Sequence, residues 1–166
     1  MNGIFPLRTV CFKGFGMEKN IRIRAAGFCL NENNELLLVN HVKNGKSYWL
    51  LPGGGVDFGE TVQDALKREF QEEVSIKLKK IYNQVLMHDT IYPGKTRHIL
   101  NVYFRVESFK KENIRVNSEA VLKDAEYVNM EKFRKIIFYP DLKNVILNQW
   151  KRGFKENLGY VFAKFK

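Results

Sequence analysis

The sequence has only two cysteines, Cys11 and Cys29, eighteen positions apart, with no CxxC pair and no Cys/His cluster. A disulfide framework and a structural zinc site are therefore both excluded as organising devices, and the thiols read as reduced side chains of a cytoplasmic protein. No run of about 20 apolar residues occurs, and residues 1–20 are broken by Pro6, Arg8 and Lys13, so no secretory leader or membrane span is expected. Repeats, low-complexity tracts and linkers are also missing. Acid is scarce: 18 Asp and Glu stand against 28 Lys and Arg, a net charge of +10. Such an excess attracts polyanions, but no interleaving of aromatic with basic residues marks a nucleic-acid groove, even in the denser stretches 77–80 and 151–166. The charge reads as solubility and attraction of phosphorylated small molecules, with nucleic acid not expected as a partner.

What is present suits one domain. With 166 residues, 45% hydrophobic and 13% aromatic, the chain can bury a sizeable core unaided. Residues 1–166 are read as a single domain, residues 1–20 being an extension with a short strand around 9–12. Strands are expected at 21–30 and 35–42, joined as a hairpin through 31–34, then at 47–51. A second antiparallel pair, 76–90 and 96–109, brackets a Pro-Gly turn at 92–95. A loop at 113–123 leads to a short strand at 125–128, helices at 131–137 and 142–154 flank Pro140, and residues 159–165 form an apolar tail. Strands, one central helix, more strands and terminal helices indicate an α+β fold, an α/β/α sandwich on a mixed sheet.

The informative stretch is 51–76. Thr61 followed by Asp64 has the form of a capping box, so a helix is expected from Val62 to Val74. On it Val62, Ala65, Leu66, Glu69 and Glu73 share one stripe, with Glu72 beside the last two, so the inward face turns from apolar to acidic. Carboxylates crowded within one turn repel each other and lose water against a protein body, and a hard cation removes both penalties. Oxygen donors of this kind suit Mg²⁺ or Mn²⁺, which bind through a few carboxylates, waters and substrate phosphates. The bland alternatives are a solvated helix face and a plain tight turn. Against them stand Pro52 and Gly53, Gly54 and Gly55 immediately before the helix, which let a backbone approach a ligand and present a carbonyl to a metal. Tyr48 and Trp49 precede this turn, and either ring could stack on a nucleobase, the other belonging to the core.

The pattern Gly54, five residues, Glu60, seven residues, Arg68-Glu69-Phe70, one residue, Glu72-Glu73, one residue, Ser75-Ile76 resembles the Nudix box of the Nudix hydrolase superfamily. It departs only at Ser75, where the box has glycine, a position of helix termination whose left-handed backbone costs serine about 1 kcal/mol. The resemblance implies a Nudix fold and hydrolysis of a nucleoside diphosphate linked to a moiety X, releasing a mononucleotide and phosphorylated X. It implies that Glu69, Glu72 and Glu73 hold divalent cations with the carbonyl of Gly53 or Gly54, that Arg68 orients a glutamate, and that Glu60 braces loop and helix. Gly54 and Gly55 would approach substrate. Glu72 and Glu73 are candidates for the general base, as is a later acid, Glu126, with Glu119 and Asp124 competing; His88 and His98 default to packing or surface roles.

For X the resemblance favours ADP-ribose or a nucleotide sugar. Tyr92 and Pro93 straddle the position that separates dinucleoside polyphosphate cleavers from ADP-ribose cleavers, and Phe138-Tyr139-Pro140-Asp141 is similar to the tails of nucleotide-sugar-cleaving members. A dinucleoside polyphosphate, triphosphate or RNA 5′-end pyrophosphohydrolase is the alternative within the family, and a non-catalytic nucleotide-binding module the alternative outside catalysis. A homodimer is left open.

Overall fold

A computed structural model describes residues 20–109, 114 and 122–162. The expected strand at 9–12, the polar loop between 115 and 121 with Glu119, and the last residues of the tail lie outside these. Along the chain run β1 (Ile21–Cys29), β2 (Leu36–Lys43), β3 (Lys46–Leu50), β4 (Gly53–Gly55), α1 (Val62–Val74), β5 (Leu78–Ile91), β6 (His98–Ser108), β7 (Leu122–Val128), α2 (Met130–Lys135), α3 (Lys143–Trp150) and β8 (Tyr160–Phe162).

Five strands form a mixed sheet in the order β4-β1-β6-β5-β8, with β1 parallel to β6 and antiparallel to β4. A smaller antiparallel sheet has the order β3-β2-β7. The expected pairing of residues 76–90 with 96–109 is realised in β5 and β6. The expected hairpin of residues 21–30 with 35–42 is not. The turn at 31–34 does close, the Asn31 side chain accepting from Asn33 N–H and Glu35 N–H at 3.0 and 2.9 Å, but one bridge, Leu30 to Leu36, is all that joins the two segments. The reason is burial: Ala25, Ala26, Phe28 and Cys29 are all solvent-inaccessible. A strand covered on both faces belongs in the middle of a sheet, and β2, equally covered at Leu36, Leu37, Leu38 and Val39, centres the other one.

Alternation along these strands divides the interior into two layers. Ala25, Cys29, Leu37 and Val39 pack with Ala65, Leu66, Phe70 and Val74 of α1. Ala26, Phe28, Leu36 and Leu38 pack with Phe133 of α2 and Ile146, Leu147 and Trp150 of α3. Helices thus cover both faces, as expected of the sandwich. Gly27 makes the first layer close: a Cβ there would stand 2.8 Å from the Phe70 ring. In the second, α3 stops at Trp150, shorter than the expected 142–154, because Gly153 and Phe154 turn left-handed. Phe154 thereby stacks on Phe28 at 4.2 Å. No helix among the described residues is long and apolar enough to cross a membrane.

Candidate functional site

Helix α1 begins and ends as its sequence dictates. The Thr61 hydroxyl accepts from Asp64 N–H at 3.1 Å, and Ser75 ends the helix at φ 56°, ψ 29°. Its inward stripe differs from the expected one. The buried residues are Ala65, Leu66, Phe70 and Val74, so the apolar face continues to the C-terminus. Glu69 and Glu73 lie on the flank of that face, half-buried, and Glu72 is exposed. The acids border the core and do not replace it.

That flank meets β4, whose three residues pair with Ala26, Ala25 and Arg24 of β1. Two of its glycines are required for different reasons. Gly53 has φ 140°, and a Cβ on it would lie 2.1 Å from the Ala25 carbonyl oxygen. A Cβ on Gly54 would lie 2.2 Å from the Glu69 carboxylate. The strand is stripped of side chains so that helix acids reach its backbone. Glu73 Oε2 accepts from Gly53 N–H at 2.8 Å.

Arg68 ties the arrangement together. Its guanidinium donates to Glu60 Oε1 and Oε2, both at 3.0 Å, to Glu69 Oε1 at 2.7 Å, to Glu72 Oε2 at 3.1 Å and to the Gly55 carbonyl at 2.9 Å. The bidentate fork to Glu60 is the geometry that favours arginine over lysine. Its hydrogen bond holds the Glu60 carboxyl below the usual carboxylate range, while Glu60 and then Glu69 make Arg68 still harder to deprotonate. Arg68 thus contacts three glutamates where the resemblance implies that it orients one, and its fork to Glu60 joins the loop to the helix.

A second arginine escaped the sequence reading. Arg24 donates to the Leu51 and Gly53 carbonyls at 2.8 and 2.7 Å. The signal was its position: of the two arginines of β1, Arg24 adjoins the buried run that starts at Ala25, where a guanidinium needs a partner. Among the described residues no three His, Cys, Asp or Glu side chains are placed together to hold a metal ion. Glu69 and Glu72 point to Arg68, and Glu73 to Gly53. The donor set is nevertheless uniform hard oxygen: three carboxylates and the Gly53 carbonyl, whose oxygen has a second lone pair beside the one Arg24 engages.

Gly53 also forms part of the wall of a cavity of about 380 Å³. Tyr48 enters it, its ring 5.5 Å from Tyr139 and 5.8 Å from His41. Opposite stand Tyr92 and Arg97, the guanidinium 5.5 Å from the ring centroid. Thr90 and Asn101, bonded to each other at 3.1 Å, lie deeper. Burial and then Tyr92 raise the Tyr48 hydroxyl above its ordinary pKa, and burial followed by Arg24 lowers that of His41. The His41 Nε2 atom is buried without a hydrogen-bond partner among the described residues. His41, Tyr92, Arg97 and Tyr139 reach the cavity from three separate segments, which no spacing in the sequence announces.

Other expected site residues fall elsewhere. Trp49 is on the opposite face of β3 from Tyr48, against the α2–α3 core, with the Lys132 ammonium 5.9 Å from its ring. It is the core member of the pair. Glu126 pairs in register with Leu38, which faces that same core, and both its oxygens bind Lys132 Nζ at 2.6 and 2.7 Å. It therefore stands on the side of the sheet away from α1. Asp124, opposite Asn40 in the same alternation, accepts from Ala125 N–H. Neither late acid joins the box. Gly54 and Gly55 face Glu69 and Arg68, and Gly53 is the glycine of the three that borders the cavity. His88 is buried below Thr90, and His98 bonds Asp89 at 2.8 Å, so both serve packing or local pairing.

Residues 21–149 match the NUDIX domain. The chain belongs to the NUDIX family. With that membership it is a hydrolase acting on phosphoric anhydride bonds. An ADP-ribose pyrophosphatase from Methanocaldococcus jannaschii is 27% identical over 127 residues, covering 75% of this chain and 72% of that protein. An 8-oxo-dGTP diphosphatase from Proteus vulgaris is 32% identical over 97 residues, covering 57% of this chain and 83% of that protein. In three dimensions a NUDIX hydrolase from Nitrosomonas europaea superposes with a TM-score of 0.70 at 15% identity, covering 84% of this chain and 94% of the other. The NUDIX fold accounts for the mixed sheet between helices.

Proposed function

We propose that this NUDIX enzyme hydrolyses a nucleoside diphosphate linked to a second moiety, of the ADP-ribose or nucleotide-sugar kind, with Mg²⁺ or Mn²⁺ held by Glu69, Glu72, Glu73 and the Gly53 carbonyl. The observation that carries this reading is the double membership of Gly53. Its N–H binds Glu73 and its residue borders the cavity, so a molecule seated there would have its diphosphate at the acidic flank of α1.

Each group then has a task. Tyr48 and Tyr139 offer ring edges and faces to a flat base, and Arg97 and Lys43 offer cations at the cavity mouth. Arg68 contacts both Glu69 and Glu72 and so keeps these two carboxylates on the flank of α1 that faces β4. Glu73, partly buried and fixed through Gly53, or Glu72, more exposed, takes the proton of the attacking water. A divalent cation, when bound, supplies charge neutralisation of the phosphates and acidifies that water. The likeness to the Methanocaldococcus jannaschii enzyme, an ADP-ribose pyrophosphatase, supports the choice of X. A nucleoside triphosphate is the second reading, favoured by the likeness to the Proteus vulgaris diphosphatase.

Two measurements test this. The first compares kcat/KM for ADP-ribose, nucleotide sugars, diadenosine polyphosphates, nucleoside triphosphates and 5′-triphosphorylated RNA with Mg²⁺. A lead of roughly tenfold or more for triphosphates or RNA ends overturns the choice of X. The second replaces Glu72 and Glu73 singly with Gln, which keeps size and removes charge. A loss of about 10²-fold or more with an unchanged melting temperature is expected, and near-normal turnover in both variants refutes the metal platform.

A further inference from the structure

The basic residues left over from the catalytic site are not spread evenly. The two densest stretches, 77–80 and 151–166, are far apart in sequence, yet the fold brings Lys80 from one and Lys155 from the other to a single hollow of about 480 Å³. Arg105 of β6 supplies a third cation to it. The hollow opens where β5 loses register against β6, with shifts between Ile81 and Gln84 and between Gln84 and Leu86. Bulges splay a strand and leave room beside it.

The arginine is held in place. Its Cζ stands 3.6 Å over the Tyr82 ring, and the Tyr82 hydroxyl donates to Glu107 at 2.7 Å, which also takes Lys79 at 2.9 Å. Lys80 Nζ lies 4.6 Å from the centroid of the same ring. Two cations therefore share one aromatic side chain, and among the described residues no carboxylate lines the hollow itself, Glu107 binding Tyr82 and Lys79 from outside that lining. Among the described residues neither Lys80 nor Lys155 is in an ion pair. Glu107 offsets part of the Arg105 charge, but the three cations still repel one another across the hollow, and a bound anion lowers that cost. The amides of Asn83, Gln84 and Asn157 on the rim can hydrogen-bond hydroxyls and phosphate oxygens alike.

We propose that this hollow is a second binding site, separate from the cavity beside Gly53, for a small phosphorylated ligand gripped by Arg105, Lys80 and Lys155. Gln84 and Thr90 are six residues apart on β5, so the two sites lie on the order of 20 Å apart along the strand. Recognition is by phosphate and not by base stacking, because the Tyr82 ring already serves two cations. A single-stranded nucleic acid, which needs open aromatic faces, fits less well.

The test is titration calorimetry of the full chain with inorganic pyrophosphate in EDTA, which withholds the metal that the hydrolytic site requires. The expected result is saturable binding of one pyrophosphate per chain, weakened about tenfold or more by Arg105→Gln and by Lys155→Gln, with kcat/KM of the metal-loaded enzyme within about twofold of wild type. Lys155 is exposed, so Lys155→Gln remains a valid readout if Arg105→Gln disturbs the packing of Tyr82. The Glu72→Gln protein should bind pyrophosphate as wild type does. Absence of saturable binding, equal binding by the Arg105→Gln/Lys155→Gln double variant, or a tenfold preference of these same residues for a single-stranded RNA 12-mer overturns the proposal.

Discussion

Gly53 and Gly54 are neighbours whose replacement by alanine should fail in two different ways. At Gly54 the new methyl would land 2.2 Å from Cδ and Oε1 of Glu69 and 2.4 Å from Oε2. The obstacle is the tip of a flexible side chain, and Gly54 has no left-handed backbone to lose. The fold survives, but Glu69 swings away from Arg68 and gives up a 2.7 Å hydrogen bond. Such charge-assisted bonds contribute about 1.5–3 kcal/mol when shielded; with both partners partly exposed, about 1 kcal/mol is the reasonable discount. At Gly53 the methyl would meet the Ala25 carbonyl oxygen at 2.1 Å and Ala26 Cα at 2.7 Å, both backbone atoms of the central strand, at φ 140°. Neither can move without parting β4 from β1. Backbone strain and a lost strand pairing together cost about 3 kcal/mol or more. Since about 1 kcal/mol shifts the melting temperature of a domain of this size by roughly 2–4 °C, Gly54→Ala should melt within a few degrees of wild type. Gly53→Ala should melt about 6–12 °C lower by the same conversion. Paired scanning calorimetry and kcat/KM with Mg²⁺ read both effects. Gly54→Ala should lose about 10²-fold in kcat/KM, as expected when a metal ligand is misplaced. A Gly54→Ala enzyme within about threefold of wild type, or a Gly53→Ala protein as stable as wild type, refutes the reasoning.

Ser75→Gly should raise the melting temperature by about 2–4 °C, because serine at φ 56° carries a strain of about 1 kcal/mol that glycine lacks; a lower value means the serine hydroxyl has a stabilising partner. Tyr48→Ala should raise KM by about tenfold with little change in stability, whereas Trp49→Ala should lower the melting temperature and leave KM alone, since one ring faces the cavity and the other the core. An exchange of these two outcomes would invert the assignment. His41 has its pKa lowered by burial and by Arg24, so the unfolded chain takes up the proton first as pH falls. The stability this histidine contributes is complete above its ordinary pKa of about 6.5 and is lost as pH drops below it. His41→Gln should therefore flatten the fall in melting temperature between about pH 7 and pH 5, and an unchanged slope counts against a neutral, half-buried imidazole.

The linear sequence was sufficient for the two ends of α1, though not for which of its residues face inward. The capping threonine, the helix from Val62 to Val74 and its end at Ser75 depend on contacts within about one or two helical turns, and spacing encodes them, whereas for Arg68 the resemblance to the box implies only that it orients a glutamate, and its contacts with Glu60, Glu69 and Glu72 are seen in the fold. Tertiary structure decided the rest. Residues 21–30 and 35–42 carry the apolar pattern of a hairpin, but strands buried on both faces have two partners to choose from, and only packing against α1, α2 and α3 sends β1 and β2 to different sheets. The same long-range choice sets Glu126 and Trp49 on the face away from α1. It also gathers His41, Tyr48, Arg97 and Tyr139 around Gly53, and joins Lys80 to Lys155 across 75 positions of sequence. Strand order is set by the collective burial of side chains distant in sequence, and a periodicity of two along one strand carries no record of which neighbour it will have.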